Sequence, residues 1–186
     1  MPWPERPSML AGGRLLAEDL DALLDQIEEL SNTDDVLAAD TAGVNNSTTL
    51  VNTTMSVPVR ASTYYTAYGV FPYTAGLGED FKPGISTPSG TTILRSTLLS
   101  GPASASPSNP VADQVYFGTD TTIGALTAPG QSTSSNVVIC YYTVSFLTGG
   151  TAGNAIAQYA QGTAGSGTTT FMRRGAIWTV RRANGV

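Results

Sequence analysis

The segment NVVICYYTVSFL, Asn136 to Leu147, sets the class of fold. Its even positions, Val138, Cys140, Tyr142, Val144 and Phe146, are all apolar, and a period of two puts them on one side of a β-strand. That side belongs to a core. The odd positions, Val137, Ile139, Tyr141, Thr143, Ser145 and Leu147, begin apolar and fade to polar along the strand. A sheet face open to water is normally polar, so a half-apolar outer face calls for a partner subunit or a second packed layer.

Other stretches have the same character. Met55, Val57 and Val59 alternate with polar residues, and TYYTAYGVFPY, Thr63 to Tyr73, carries the aromatic and β-branched side chains that suit a pleated surface. Pro58 and Pro72 lack an amide donor, which directs them to edge or strand-end positions. Thr91 to Leu99, Gln114 to Phe117, Thr121 to Leu126, Asn154 to Gln161, Thr168 to Arg173 and Ala176 to Arg182 are further predicted strands, separated by loops such as GPASASPSNP and TAPGQSTSSN. Only 12% of residues are charged against 41% hydrophobic, with Gly, Ser, Thr and Ala abundant, a mix that suits short strands and many turns. About nine or ten short strands at regular spacing imply a mainly β chain, an antiparallel β-sandwich or jelly-roll-like head.

One stretch follows another rhythm. In LLAEDLDALLDQIEELS, Leu15 to Ser31, the residues Leu16, Leu20, Leu23, Ile27 and Leu30 are spaced four, three, four, three. Leu20 and Ile27 occupy a positions of a heptad, and Leu16, Leu23 and Leu30 occupy d positions, a seam that needs other helices to pack against. The outward positions are nearly all acidic. Such a rod is roughly 26 Å long at 1.5 Å per residue, and helices this short are marginal alone. Burying its five apolar side chains yields on the order of 10 kcal/mol per chain, comparable to the cost of association, so a second contact in the head is expected. The heptad leaves dimer and higher orders open.

The chain therefore divides into an extended arm (1–14), a coiled-coil stalk (15–32), a polar linker (33–47) and a β head (48–186). The arm has prolines at 2, 4 and 7, the pair Gly12-Gly13 and a lone Trp3, and it cannot close a core of its own. Trp3, Pro4, Met9 and Leu10 are its candidate attachment residues. Charge divides the same way: residues 5 to 40 hold ten acids against Arg6 and Arg14, whereas residues 41 to 186 hold four acids against seven bases.

Catalytic chemistry finds little material here. Histidine is absent, and Cys140 is the lone cysteine, within an apolar strand. The four acids of the head, Glu79, Asp80, Asp113 and Asp120, form no calcium-loop or zinc-ligand spacing, and Glu79-Asp80 read as loop charges. No enzyme, metal or cofactor is expected. No basic stripe interleaved with aromatics marks a nucleic-acid track, and Arg173, Arg174, Arg181 and Arg182 read as a solvated or interface edge. No apolar run nears the ~18 residues that insert in a membrane, and MPWPERPSML does not have the form of a secretory signal. Tyr64, Tyr65, Tyr68, Tyr73, Tyr116 and Tyr159 are potential sugar platforms, though tyrosines in strands more often serve a core or a subunit interface.

The order of parts, with LAGGRLLAEDLDALL, then TTLVNTTMSVPV, then GGTAGNAIAQYAQGTA and TTTFMRRGAIWTVRR, resembles small virion structural proteins of actinobacterial phages and prophages. The resemblance implies a homotrimer on the virion surface, assembled in the host cytoplasm. An N-terminal stalk would be fixed to the particle, on the major capsid protein or another shell protein, with a β head outside. It also leaves a second expectation, a tail receptor-binding protein whose loops hold a host-surface glycan.

Overall fold

The computed structural model describes residues 34–100, 116–130 and 137–183. They form ten strands: β1 (Asp34–Val36), β2 (Val51–Val59), β3 (Tyr64–Thr74), β4 (Phe81–Ser86), β5 (Thr92–Ser100), β6 (Tyr116–Asp120), β7 (Val138–Leu147), β8 (Gly153–Gln161), β9 (Phe171–Met172) and β10 (Ile177–Arg182). One sheet runs β1-β10-β3-β7-β5-β6, with β9 on β3, and a smaller sheet runs β2-β8-β4. Every pairing is antiparallel. The described residues are a β-sandwich. Pairing of β1 with β10, β2 with β8 and β3 with β7 is nested, as in a hairpin rolled across two sheets, which is jelly-roll order.

The core lies between the sheets and follows from alternation. On β7, Cys140, Tyr142, Val144 and Phe146 all point inward and are buried, as their spacing requires. Met55, Val57 and Val59 of β2 face them from the small sheet. The centre is aromatic: Phe71 stacks on Trp178 at 6.0 Å, and Phe81 stacks on Tyr73 at 4.4 Å and on Tyr159 at 6.3 Å. Small residues make the room. Gly69 lies opposite Trp178, and a Cβ there would fall 2.2 Å from the Phe71 ring. Ala155 on β8 brings its carbonyl within 3.1 Å of the Trp178 indole nitrogen, which donates to it and so ties the two sheets together.

Several elements depart from the sequence reading. The polar stretch 33–47, expected as a linker, contains β1 and continues along β9 and β10, burying Leu37 and Val44. Backbone hydrogen bonds hold it: the Leu37 amide donates to Ala176 O, the Gly175 amide donates to Leu37 O, and Val44 and Thr170 bond in both directions. Asp35 adds a tie to the other sheet by accepting from the Ser56 amide at 2.9 Å. Thr121 to Leu126 is not a strand, because Asp120 Oδ1 accepts from the Thr122 amide at 2.7 Å and turns the chain. Thr168 to Arg173 shrinks to the two residues of β9. Pro58 sits on an edge strand, as its missing donor demands, but Pro72 lies within the interior strand β3. It is tolerated there because β10 has ended at Val70 and β9 begins only at Tyr73.

Unforeseen β4 includes Pro83 and Gly84, residues that argue against a strand in isolation. Phe81 anchors it in the aromatic core. Gln161, at the end of β8, is fully buried and fully used: its Oε1 accepts from the Ser47 amide at 3.0 Å, and its Nε2 donates to Thr168 O at 2.8 Å and Gly165 O at 3.1 Å. That side chain fixes the glycine-rich turn 162–167.

Candidate functional surface

Two carboxylates of the head, Asp80 and Asp120, have structural work. Asp80 Oδ1 accepts from the Gly130 amide at 2.9 Å, closing a loop so tight that a Cβ on Gly130 would fall 1.7 Å from Gly76 O. Burial, opposed by that hydrogen bond and helped by the charge of Glu79, raises the Asp80 carboxyl above its ordinary range. Asp120 caps its own turn, and Asp113 lies outside the described residues. Cys140 is wholly buried, and burial pushes its thiol pKa up, away from the reactive thiolate. Among the described residues no three His, Cys, Asp or Glu side chains gather as metal ligands do.

The arginines divide. Arg173 donates to Asp40 at 2.8 Å and to Thr74 Oγ1 at 3.1 Å, and its guanidinium lies 4.6 Å from the centre of the Phe171 ring. Asp40 also accepts from the Arg174 amide at 2.8 Å, and these two contacts, the amide first, hold its carboxyl below its ordinary range. Arg181 and Arg182 stand exposed at the end of β10. The tyrosines divide too: Tyr65, Tyr73 and Tyr159 are core, Tyr73 donating to Pro129 O at 2.7 Å, while Tyr68 is exposed. Buried rings offer a sugar no platform.

What remains is the outer face of the large sheet. Register places Val36 opposite Ile177, Ile177 opposite Val70, Val70 opposite Tyr141, Tyr141 opposite Leu99 and Leu99 opposite Phe117. A single apolar row therefore crosses all six strands from edge to edge. Phe117 is 63% exposed, Val36 53% and Tyr141 50%, so nothing within the described residues covers the row. Pro72 opposite Ile139 extends it toward one end of the sheet. Toward the other end the next row is Asp34, Thr179, Tyr68, Thr143, Thr97 and Thr119, and beyond it come Arg181, Thr66, Ser145 and Arg95. The face grades from apolar through threonine to arginine.

Among the described residues, eight of the eleven exposed large apolar side chains stand on this face, the exceptions being Val51, Leu77 and Leu94 at a strand start, a turn and a bulge. Scattered apolar exposure is ordinary, but concentration on one face marks an interaction surface. The gradation on β7 was legible in its odd positions. The edge-to-edge row was not, because it joins residues from six strands through their register.

The nine other candidate residues, Leu16, Leu20, Leu23, Ile27 and Leu30 of the seam and Trp3, Pro4, Met9 and Leu10 of the arm, lie outside the described residues.

No family model matches the chain, and no curated protein matches it. Among solved structures it is similar to the tripod (BppUct-A-L) from the baseplate of bacteriophage Tuc2009, at 14% identity and a TM-score of 0.32, covering 98% of this chain and 77% of that one. It is also similar to the VP2 subviral particle of infectious bursal disease virus, at 9% identity and a TM-score of 0.18, covering 80% and 38%. At such scores neither likeness fixes a fold or an activity.

Proposed function

We propose that this chain is a phage virion structural protein, a fibre or decoration protein of the capsid, anchored by its N-terminal arm and carrying a homotrimeric β head. It works by binding and self-association, without catalysis, metal or cofactor. The apolar row across the large sheet carries the reading, since a head that exposes such a face is built to be part of an assembly. Two further features support it. The segments LVNTTMSVPV and TAGNAIAQYAQ, on which the resemblance to phage structural proteins rests, contribute the paired strands β2 and β8. Asp80 and Asp120, two of the head's carboxylates, are spent on turns rather than held free for acid-base work.

In the arm, prolines at 2, 4 and 7 pre-extend the chain and lower the entropy lost on docking, while Trp3 supplies a large apolar anchor. Labelled antibody on intact particles, viewed by electron microscopy, locates the protein. Deleting residues 2–13 is expected to leave a folded oligomer that no longer joins the particle. If the truncated chain decorated particles at normal occupancy, the arm would not be the attachment device.

A second reading, a tail receptor-binding protein for a host-surface glycan, draws on Tyr68 and Tyr141. They are exposed on adjacent rows of neighbouring strands, in the diagonal relation that brings side chains about 7 to 8 Å apart. Antibody label at the tail rather than the head would favour it.

A further inference from the structure

We propose that copies of this chain pack against one another through the outer face of the large sheet, with the row Val36, Ile177, Val70, Tyr141, Leu99 and Phe117 at the centre of the contact. The proposal rests on the self-association in the preceding reading and names the surface that accomplishes it.

Chain connectivity argues for a second copy as the occupant. The heptad seam ends at Leu30, and Val36, the first member of the row, follows six residues later on β1. Six residues span at most about 20 Å. A seam that gathers copies therefore holds their rows within a short tether, at an effective concentration in the millimolar range. The seam alone barely offsets the cost of association, so it needs a second contact of this kind.

Area and charge agree. Six strands at about 4.8 Å span about 24 Å, and the longer ones run about 30 Å, giving a face on the order of 700 Å². One partner contributes about 800 Å² to a standard interface. The apolar row by itself, about 7 Å deep, is too small, so the contact must also take in Ile139, Pro72 and the threonine row. That leaves Arg95 and Arg181 at a polar rim, the usual anatomy of an interface. The apolar and threonine rows hold one charged residue, Asp34 at an edge, and so offer no complement to a strongly charged partner. A glycan would find on the apolar row only the Tyr141 hydroxyl.

The test uses the full-length chain. Hydroxyl-radical footprinting reads the exposure of Tyr141 and Phe117 in the wild type and in the seam variant Leu23→Asp/Ile27→Asp. Light scattering gives the mass of both and of Leu99→Lys/Tyr141→Lys, whose replaced side chains point to solvent in the isolated head. We expect Tyr141 and Phe117 to be protected in the wild-type oligomer and exposed in the seam variant. The Leu99→Lys/Tyr141→Lys chain should dissociate at a concentration roughly tenfold higher or more than the wild type, with an unchanged circular dichroism spectrum. Wild-type footprinting decides the matter even if that variant fails to fold. An oligomer whose Tyr141 and Phe117 oxidise freely would overturn the surface while leaving self-association standing. Protection that persists in a monomeric seam variant would assign the cover to the chain's own residues. Protection that arises only on particles would assign it to the shell. A monomeric wild type would remove both the surface and the trimer, while antibody labelling of particles would still decide the virion role.

Discussion

Asp80 illustrates how a single side chain is committed to the fold. Its backbone φ is +53°, in the left-handed region that Asn and Asp enter most readily among non-glycine residues. Burial raises its carboxyl above the ordinary value of 3.8. A carboxyl raised in the folded state favours folding when protonated, so this contribution is fully present below about pH 3.8 and is lost as pH rises through the raised value. Asp80→Asn keeps an acceptor for the Gly130 amide, accepts the same backbone and cannot ionise. We expect it to match or exceed the wild type at about pH 7, by less than about 1 kcal/mol because the group is partly exposed and screened. At about pH 3 the difference should vanish. Urea midpoints at the two pH values are the measurement, and an advantage that persisted in acid would exclude the charge as its cause.

Among the strands, β10 joins the most functions. Its inward residue Trp178 ties the sheets through Ala155 O, its outward residue Ile177 belongs to the apolar row, and its N-terminal end pairs with β1. Trp178→Phe retains a ring but leaves the Ala155 carbonyl buried without its donor, an expected loss of about 1 to 3 kcal/mol. Trp178→Ala empties the aromatic centre and should cost about 3 to 5 kcal/mol. Denaturant unfolding followed by tryptophan-independent circular dichroism distinguishes the two. Equal losses would mean that the cross-sheet hydrogen bond, and not ring packing, is what Trp178 contributes.

In the proposed assembly, the expected seam and the sandwich are separable by position in the sequence: every residue of the described core lies between Leu37 and Val180, beyond Leu30. Leu23→Asp/Ile27→Asp puts unpartnered charge at a and d positions. The variant should keep the β spectrum and melting of the head but fall to a lower mass in light scattering. The seam reading would fail if its mass matched the wild type. It would equally fail if the head unfolded, because the two parts would then not be independent.

How far these features could be read before folding depends on their range. Alternation is local, so β2, β3, β5, β7, β8 and β10 and the inward residues Met55, Val57 and Phe146 were legible from spacing, as was the half-apolar outer side of β7. Elements held by distant partners were not. Residues 34–46 read as a polar linker because their stability comes from backbone bonds to residues 170–177, some 130 positions away, and from two isolated apolar side chains. Strand β4 contains a proline and a glycine and exists because Phe81 fills the aromatic centre and β8 supplies the hydrogen bonds. Thr121 to Leu126 has strand-forming residues, yet a two-residue Asp-to-amide bond outcompetes a ladder that has no partner. The composition and periodicity of the chain thus determine a β-sandwich, and they set the expectation of a helical seam before it. Which carboxylates are spent on turns, which tyrosines are buried, and that six apolar residues align into one row are consequences of register, and register exists only once the strands have paired.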